Sequence, residues 1–292
     1  MRVLGLVASP RRVGNSEIII QEMLNILPET WGKEVIRLNN LQIERCKACY
    51  ACLPHDKSCV INDDLNFLLD RIRAADKVII VSPVYALGQQ TTLKLINDRM
   101  ICIQNKAGHY FTGKQCVIVI PHTVEGWEGY AREATMHFAR FFGLNITGTA
   151  VMRASLPSDI TEVSMLGKIR ELTLSLIDNS TVNFDDIEKI YCPDCSSSFL
   201  QLFHKGRWRC VICGSTGDLK VSEGNYNITW DIPEHRRFTL KGIQEHGQRL
   251  SKLKEEFAQR KKEQVAVLTR NKADNANKNS DLEANRDWSN NE

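Results

Sequence analysis

The chain has 292 residues, 42% of them hydrophobic, enough for one good-sized domain with a real core plus a smaller one. Its 38 basic and 35 acidic residues leave a net charge of +3, too weak a field to draw it to nucleic acid or an anionic membrane. Only one basic residue precedes the apolar run of MRVLGLVASPRR and no small-residue cleavage site closes it, so it does not read as a signal peptide, and no stretch approaches the roughly 18 apolar residues of a spanning helix. The expected location is the cytoplasm. In that reducing compartment ten cysteines are metal ligands or reactive thiols rather than disulfides, and eight of them fall into two tight groups.

In chain order, β-rich apolar runs are predicted at Val3–Val7, Glu34–Leu38, Lys77–Val81, Cys116–Ile120 and Leu144–Val151. Helical stretches alternate with them at Ser16–Ile26, Asp63–Ala74, Thr91–Ile101, Tyr130–Phe142 and Asp159–Ile177. Five strands interleaved with helices imply an α/β domain over residues 1–180, a doubly wound parallel sheet covered on both faces. Residues 190–220 carry the second cysteine group, 236–268 read as a charged amphipathic helix, and the polar tail 270–292 is expected to be disordered.

The loop after the first strand, ASPRRVGNSE, leads into a helix N-terminus, where free N–H groups and the positive dipole end suit an anion. Ser9 and Ser16 offer hydroxyls, Asn15 an amide, Arg11 or Arg12 a counter-charge and Gly14 close backbone approach. Together they read as a phosphate cradle, beside the plainer reading of a turn capped by Asn15 or Ser16. The spaced glycines of a dinucleotide loop and the GK[ST] ending of a nucleotide-hydrolysing loop are both missing, so neither a dinucleotide nor a triphosphate is the natural guest.

Between the second strand and the second helix lies ERCKACYACLPHDKSCVINDD, residues 44–64. Cys46, Cys49, Cys52 and Cys59 follow a C-x2-C-x2-C-x6-C spacing, close to the compact run with which bacterial ferredoxins hold a cubane. Zinc ribbons instead bring together two separate C-x2-C knuckles. Segment 44–62 therefore reads as a 4Fe-4S site, with a thiol-rich loop or adventitious metal site as the alternative. Asn62, Asp63 and Asp64 look like a helix start with acids well placed at its N-terminus.

The third strand runs into SPVYALGQQ, where Ser82, Pro83, Val84 and Tyr85 should emerge at the same carboxyl edge as Ser9. Proline stiffens that loop and Tyr85 supplies a flat ring, suited to a planar heterocycle, although a core aromatic is the bland alternative.

SPRRVGNSE, the first cysteine group, ADKVIIVSPVY and LKLINDR, in that order and spacing over roughly residues 1–175, resemble the flavodoxin-like NADPH-dependent FMN reductases, specifically their iron-sulfur flavoprotein branch. The resemblance implies a flavodoxin-like fold holding FMN, the phosphate at Ser9, Arg11, Asn15 and Ser16 and the isoalloxazine ring against Pro83, Val84, Tyr85 and Ala86. It further implies that HTVEGWEG after the fourth strand completes the ring pocket through Thr123 and Gly126. His122 is read chiefly as a structural loop histidine, secondarily as an acid or base beside the flavin. The branch carries the same compact cysteine motif at the same place, which strengthens the cluster reading. This chain departs from the pattern at Arg45, where the family often has proline, and at Ala48, where it often has glycine. A homo-oligomer, dimer or tetramer, is also implied.

The second group pairs Cys192 and Cys195 with Cys210 and Cys213, fourteen residues lying between the knuckles and HKG at the expected hairpin tip. This spacing predicts a zinc ribbon, a rubredoxin-like mononuclear iron site being the alternative. Its plainer role is to fold a module too small for its own core, with Phe199, Phe203 and Trp208 as that core; docking to a partner is the sharper one. Cys102 and Cys116 have apolar neighbours and read as buried structural thiols. Leu240, Ile243, Gly247, Leu250, Leu253 and Phe257 form a helical stripe.

The function expected is an iron-sulfur flavoprotein that passes electrons from ferredoxin or NAD(P)H to an unidentified acceptor through FMN and a 4Fe-4S cluster. Two alternatives remain: an FMN-dependent NAD(P)H reductase of quinones or small electrophiles without a working cluster, and a flavin-based redox sensor whose ribbon contacts nucleic acid or protein. The small net charge counts against the nucleic-acid version.

Overall fold

A parallel sheet buries both faces of its inner strands, which the apolar runs here suit, while the more polar segment Gly32–Arg37 takes the edge. In the computed structural model the five strands are β1 (Arg2–Val7), β2 (Gly32–Arg37), β3 (Lys77–Val81), β4 (Gln115–His122) and β5 (Asn145–Arg153). The structure describes residues 1–53, 58–103, 111–184, 189–222, 225–260, 265, 269 and 270. The strand order is β2-β1-β3-β4-β5, all parallel, extended at the edge by a two-residue strand β6 (Val182–Asn183) on β5. That sixth strand was not expected, because two residues carry no periodicity to read.

Alternation along the strands divides the core. Val78 and Ile80 of β3 join Leu4, Leu6, Ile118 and Ile120 under α2 (Leu65–Ala74), α3 (Thr91–Asn97) and α4 (Ala131–Phe141). Ile79 and Val81 join Val3, Val7, Val117 and Val119 under α1 (Asn15–Ile26) and α5 (Val163–Asp178). Each fully buried Leu, Ile or Val contributes about 1.5–3 kcal/mol relative to exposure, so the two faces rather than helix propensity hold the helices. Asn179, in the left-handed conformation, ends α5, and its side chain accepts a 2.8 Å hydrogen bond from the buried Lys77.

The third and fifth predicted helices are each broken by a 3-10 turn. The third ends at Asn97, and a 3-10 turn over Met100–Ile103 follows, with Arg99 buried between the two. The fifth is a 3-10 turn, Pro157–Thr161, then α5, separated by Glu162 in an extended conformation.

The cysteine-rich module is a four-stranded antiparallel sheet in the order β10-β9-β8-β7, built from β7 (Leu200–Leu202), β8 (Arg207–Cys210), β9 (Thr216–Ser222) and β10 (Asn225–Asp231). It therefore continues past the expected limit of residue 220. HKG does form the β7–β8 tip. The expected core residues are a correction: Leu200, Ile212, Trp230 and Phe238 pack on the four cysteines, while Phe203 is exposed. Trp230 and Phe238 come from outside the knuckle segment, so its internal pattern could not reveal them.

Residues Met1–Gly247 form one compact unit and Gln248–Glu292 another. The last helix, α6 (Leu240–Arg260), begins in the first, where Ile243 is buried. In the second, Leu253 and Phe257 are exposed and Arg249 pairs with Glu256 at 2.8 Å. Residues 261–264 and 266–268 of the expected helix, and all of the expected tail except residue 270, lie outside the described residues.

Candidate functional site

β1 lies between β2 and β3, so the chain leaves the carboxyl end of β1 to one side and that of β3 to the other, opening a crevice between their loops. A cleft there is lined by Ser9, Arg11, Asn15 and Ser16 from the first loop, Pro83, Val84 and Tyr85 from the second, and His122 and Thr123 from the third. Of the residues expected to bind FMN, Ala86 and Gly126 stand outside this lining.

The first loop has the chemistry of an anion cradle. Gly14 precedes α1 without a side-chain cap, so the amides at the start of that helix have no side-chain acceptor. The Ser9 hydroxyl accepts from the Arg11 amide at 3.3 Å, tightening the turn. Asn15 donates through Nδ2 to the Ala154 carbonyl, leaving its Oδ1 buried with no partner among the described residues. Ser82, beside Pro83, likewise has a buried hydroxyl without a partner among the described residues. An unmatched amide oxygen suits a donor such as a ribityl hydroxyl or a flavin N–H, while the α1 amides and Arg11 suit a phosphate. The donor set therefore fits FMN.

The second loop is held under strain. Tyr85 and Gly88 exchange backbone hydrogen bonds of 3.0 and 2.9 Å, and the two residues between them, Ala86 and Leu87, have φ of 46° and 66°. Positive φ at both central positions is the primed turn that glycine or asparagine usually fills. The third loop locks it: the Tyr130 amide donates to the Leu87 carbonyl at 2.7 Å, and the Tyr130 ring crosses Gly88. Gly129, at φ +55°, passes so close that a Cβ there would stand 2.2 Å from the Leu87 oxygen. Tyr85 is consequently 43% exposed at the cleft rather than folded into the core. His122 is tied by Nδ1 to the Val124 carbonyl at 3.0 Å, a loop-organising contact.

The cysteine loop follows β2 and so emerges at the same edge. Its ends are clasped. The Gln42 amide donates to the Asp64 carboxylate at 2.7 Å and the Asp64 amide to the Gln42 carbonyl at 3.0 Å. Asp63 accepts from the Glu44 and Leu65 amides at 2.7 and 3.2 Å, and also pairs with Arg99. Burial alone would raise the Asp63 carboxyl, but Arg99 and the two amides hold it below the usual carboxylate range.

Within the loop Cys46 and Cys49 are exposed and Cys52 and Cys59 half-buried; Pro54, His55, Asp56 and Lys57 lie outside the described residues. Ala48 and Tyr50 have φ of 48° and 53°, so the position where the family often has glycine does adopt a glycine-favouring backbone. Burial, and next to it the neighbouring Cys59, push the Cys52 thiol up. Cys102, expected as a buried structural thiol, is within the electrostatic influence of this group: burial raises it to about 12, with Cys52 and Cys59 adding to the effect. A cubane spreads its four thiolates over four irons, so the ligands need not crowd as they do around one ion; thiols on one clasped loop at this edge fit such a group.

The second cysteine group is of the crowded kind. Among the described residues, Cys192, Cys195, Cys210 and Cys213 are the one group whose ligand atoms all lie within 4.8 Å of one another, and all four are buried. The Cys192–Cys213 and Cys195–Cys210 sulfurs are 3.5 Å apart, near the spacing of about 3.8 Å that Zn–S bonds of about 2.3 Å give in a tetrahedron. Hydrogen bonds from Cys195, Cys210 and Cys213 drive the Cys192 thiol well below the usual thiol range. The knuckles dock on α4: Glu133 accepts from the Ser198 amide and hydroxyl at 3.2 and 2.6 Å, and Arg132 donates to the Ser196 carbonyl at 3.0 Å.

No helix among the described residues is long and apolar enough to cross a membrane. The family model for NADPH-dependent FMN reductases matches residues 1–158. An iron-sulfur flavoprotein of Methanosarcina thermophila is 35% identical over 107 residues, 36% of this chain and 56% of that protein. One from Methanocaldococcus jannaschii is 36% identical over 100 residues, 34% of this chain and 51% of its own length. The chain thus spans about half the length of the curated relatives it matches. A solved flavone reductase aligns with a TM-score of 0.68 at 20% identity over 91% of this chain and 96% of its own, a likeness of fold. With more than half of its length under the family model, the chain belongs to the NADPH-dependent FMN reductase family of flavin oxidoreductases, and its curated relatives are iron-sulfur flavoproteins.

Proposed function

We propose that this protein is an iron-sulfur flavoprotein: an oxidoreductase that takes electrons from ferredoxin or NAD(P)H and delivers them to an external acceptor, using FMN in the cleft and a 4Fe-4S cluster on Cys46, Cys49, Cys52 and Cys59. The observation that carries it is the placement of three ligand-bearing loops and the clasped cysteine loop at one carboxyl edge of the sheet. FMN exchanges electrons singly or in pairs and a cluster singly, so together they couple one-electron to two-electron traffic. The chain's own task is placement. The free end of α1 and Ser9, Arg11, Asn15 and Ser16 hold the phosphate; Pro83, Val84 and Tyr85 hold the ring, with Thr123 at its margin; Ala86 and Gly126 shape the loops behind it.

Cys192, Cys195, Cys210 and Cys213 hold zinc in this reading, and the ribbon is structural, since its knuckles are tied to α4 by buried polar contacts rather than displayed. Ten free cysteines suit the cytoplasm. Tyr85, Leu87, Val124, Trp127 and Tyr130, all exposed on the second and third loops, suit cover by another subunit of a homo-oligomer.

Anaerobic isolation and reconstitution with iron, sulfide and FMN test the reading. One flavin, about four irons with matching sulfide, and one zinc per chain are expected. Flavin without iron or sulfide would reduce the protein to an NAD(P)H reductase of quinones or small electrophiles; absence of flavin would end the proposal.

A further inference from the structure

One buried cation is matched by the fold at only one of its three nitrogens among the described residues. Arg99 follows α3 with its side chain 1% exposed. Its Nη1 donates to the Asp63 carboxylate and, at 3.2 Å, to the Glu44 carbonyl. Its Nε and Nη2 are out of water with no hydrogen-bond partner among the described residues. Leaving donors of a buried charge unmatched is costly, so such groups are retained where an acceptor meets them. Asp63, four residues after Cys59, and the Glu44 carbonyl hold the guanidinium at the neck of the cysteine loop, where the Cys59 thiol interacts with it. A neutral thiol is a weak acceptor, whereas a metal-bound thiolate or inorganic sulfide is a strong one.

Building on the cluster reading above, we propose that Arg99 sets the reduction potential of the loop's metal centre, its unpartnered Nε and Nη2 donating to sulfur at the Cys59 corner. Hydrogen bonds to sulfur and local positive charge favour the more electron-rich state of a cluster, and both raise its potential. Asp63 is the lever that aims the fork: it holds Nη1, leaving the other two nitrogens for sulfur. Arg99 is thus a positioning and tuning residue, and it holds none of the iron itself.

The test uses the full chain, reconstituted anaerobically with iron, sulfide, FMN and zinc, and titrated with dithionite through mediators while the reduced cluster is read by electron paramagnetic resonance. At the poise where the wild-type cluster is half reduced, Arg99→Gln combined with Asp63→Asn should lower the reduced-to-oxidised ratio at least tenfold, about 59 mV for a one-electron couple. Arg99→Lys keeps the charge opposite Asp63 but loses the fork, and should lower the ratio at least threefold; it decides the matter if the double variant does not fold. Flavin and zinc content report folding. Ratios within twofold of wild type overturn the proposal, as does a variant that keeps FMN and zinc yet assembles no cluster, since Arg99 would then merely build the loop. A wild type that binds FMN but no iron overturns the cluster reading itself.

Discussion

The carboxylate of Asp63 and the guanidinium of Arg99, each 1% exposed, join two segments 36 residues apart and close the neck of the cysteine loop. The same carboxylate takes the Glu44 amide at the loop's entry and the Leu65 amide at the start of α2. Asp63→Asn leaves Arg99 buried without its counter-charge and should cost about 3–5 kcal/mol in urea unfolding at pH 7. Because the folded Asp63 carboxyl is held below its ordinary value, its contribution is present above the unfolded value of about 3.9 and disappears as pH falls through the lower folded one. The gap between wild type and variant should therefore close in acid; a gap independent of pH would show that Asp63 acts by shape alone.

For the ribbon the prediction is one colourless metal. Sulfurs 3.5 Å apart suit a single tetrahedral ion, and structural zinc contributes on the order of 10 kcal/mol to the folding of small modules. Cys195→Ser should abolish zinc binding, lower the thermal midpoint and free the Ser196 and Ser198 contacts with α4, seen as proteolysis within residues 190–231. Elemental analysis that finds iron at this site would identify a rubredoxin-like centre.

The sheet was legible because β1, β3 and β4 are continuous apolar runs, and the two cysteine groups because thiolate spacing is set by metal chemistry. What stayed hidden depends on contacts distant in sequence. Nothing local separates Arg99 in LKLINDRMICI from a surface arginine, and its role rests on Asp63 and Glu44. Cys102 likewise lies in an apolar ICI triplet, yet the charges of Cys52 and Cys59 act on it across the fold. The turn at Ala86 and Leu87 lacks the glycine or asparagine that announces positive φ, because the third loop imposes it. The ribbon's real core was missed because Trp230 and Phe238 arrive after the knuckles.

That imposed turn yields a sharp comparison. Gly129→Ala places a methyl 2.2 Å from the Leu87 carbonyl, a backbone atom that cannot swing away. The third loop must move, and Tyr85 with it. FMN affinity should fall at least tenfold by fluorescence titration, together with a loss of about 1–3 kcal/mol in stability. Gly126→Ala also occupies a positive φ, at +74°, but meets nothing within 4 Å. It should cost about 1 kcal/mol of stability and leave flavin affinity within twofold. Equal losses in the two variants would mean that strain in the third loop, rather than its lock on Tyr85, governs the cleft.

His137 gives the ribbon's docking a pH dependence. Its ring lies 4.7 Å from that of Phe141 on α4 and 5.4 Å from Phe238, which packs on the cysteine cluster. Burial, then the nearby positive charges of Lys94 and Arg237, hold its pKa below the ordinary histidine value. A histidine kept neutral in the fold contributes stability that is fully present above the unfolded value of about 6.5 and is lost as pH falls through the lower folded one. Between pH 7 and 5 the wild type should lose stability, with this one proton contributing at most about 1.4 kcal/mol per pH unit. His137→Phe keeps an aromatic ring between Phe141 and Phe238 and removes the proton, so its urea midpoint should fall less over that range. An identical slope in both proteins would place the acid sensitivity at another group, the ribbon thiols being the first to examine by zinc release.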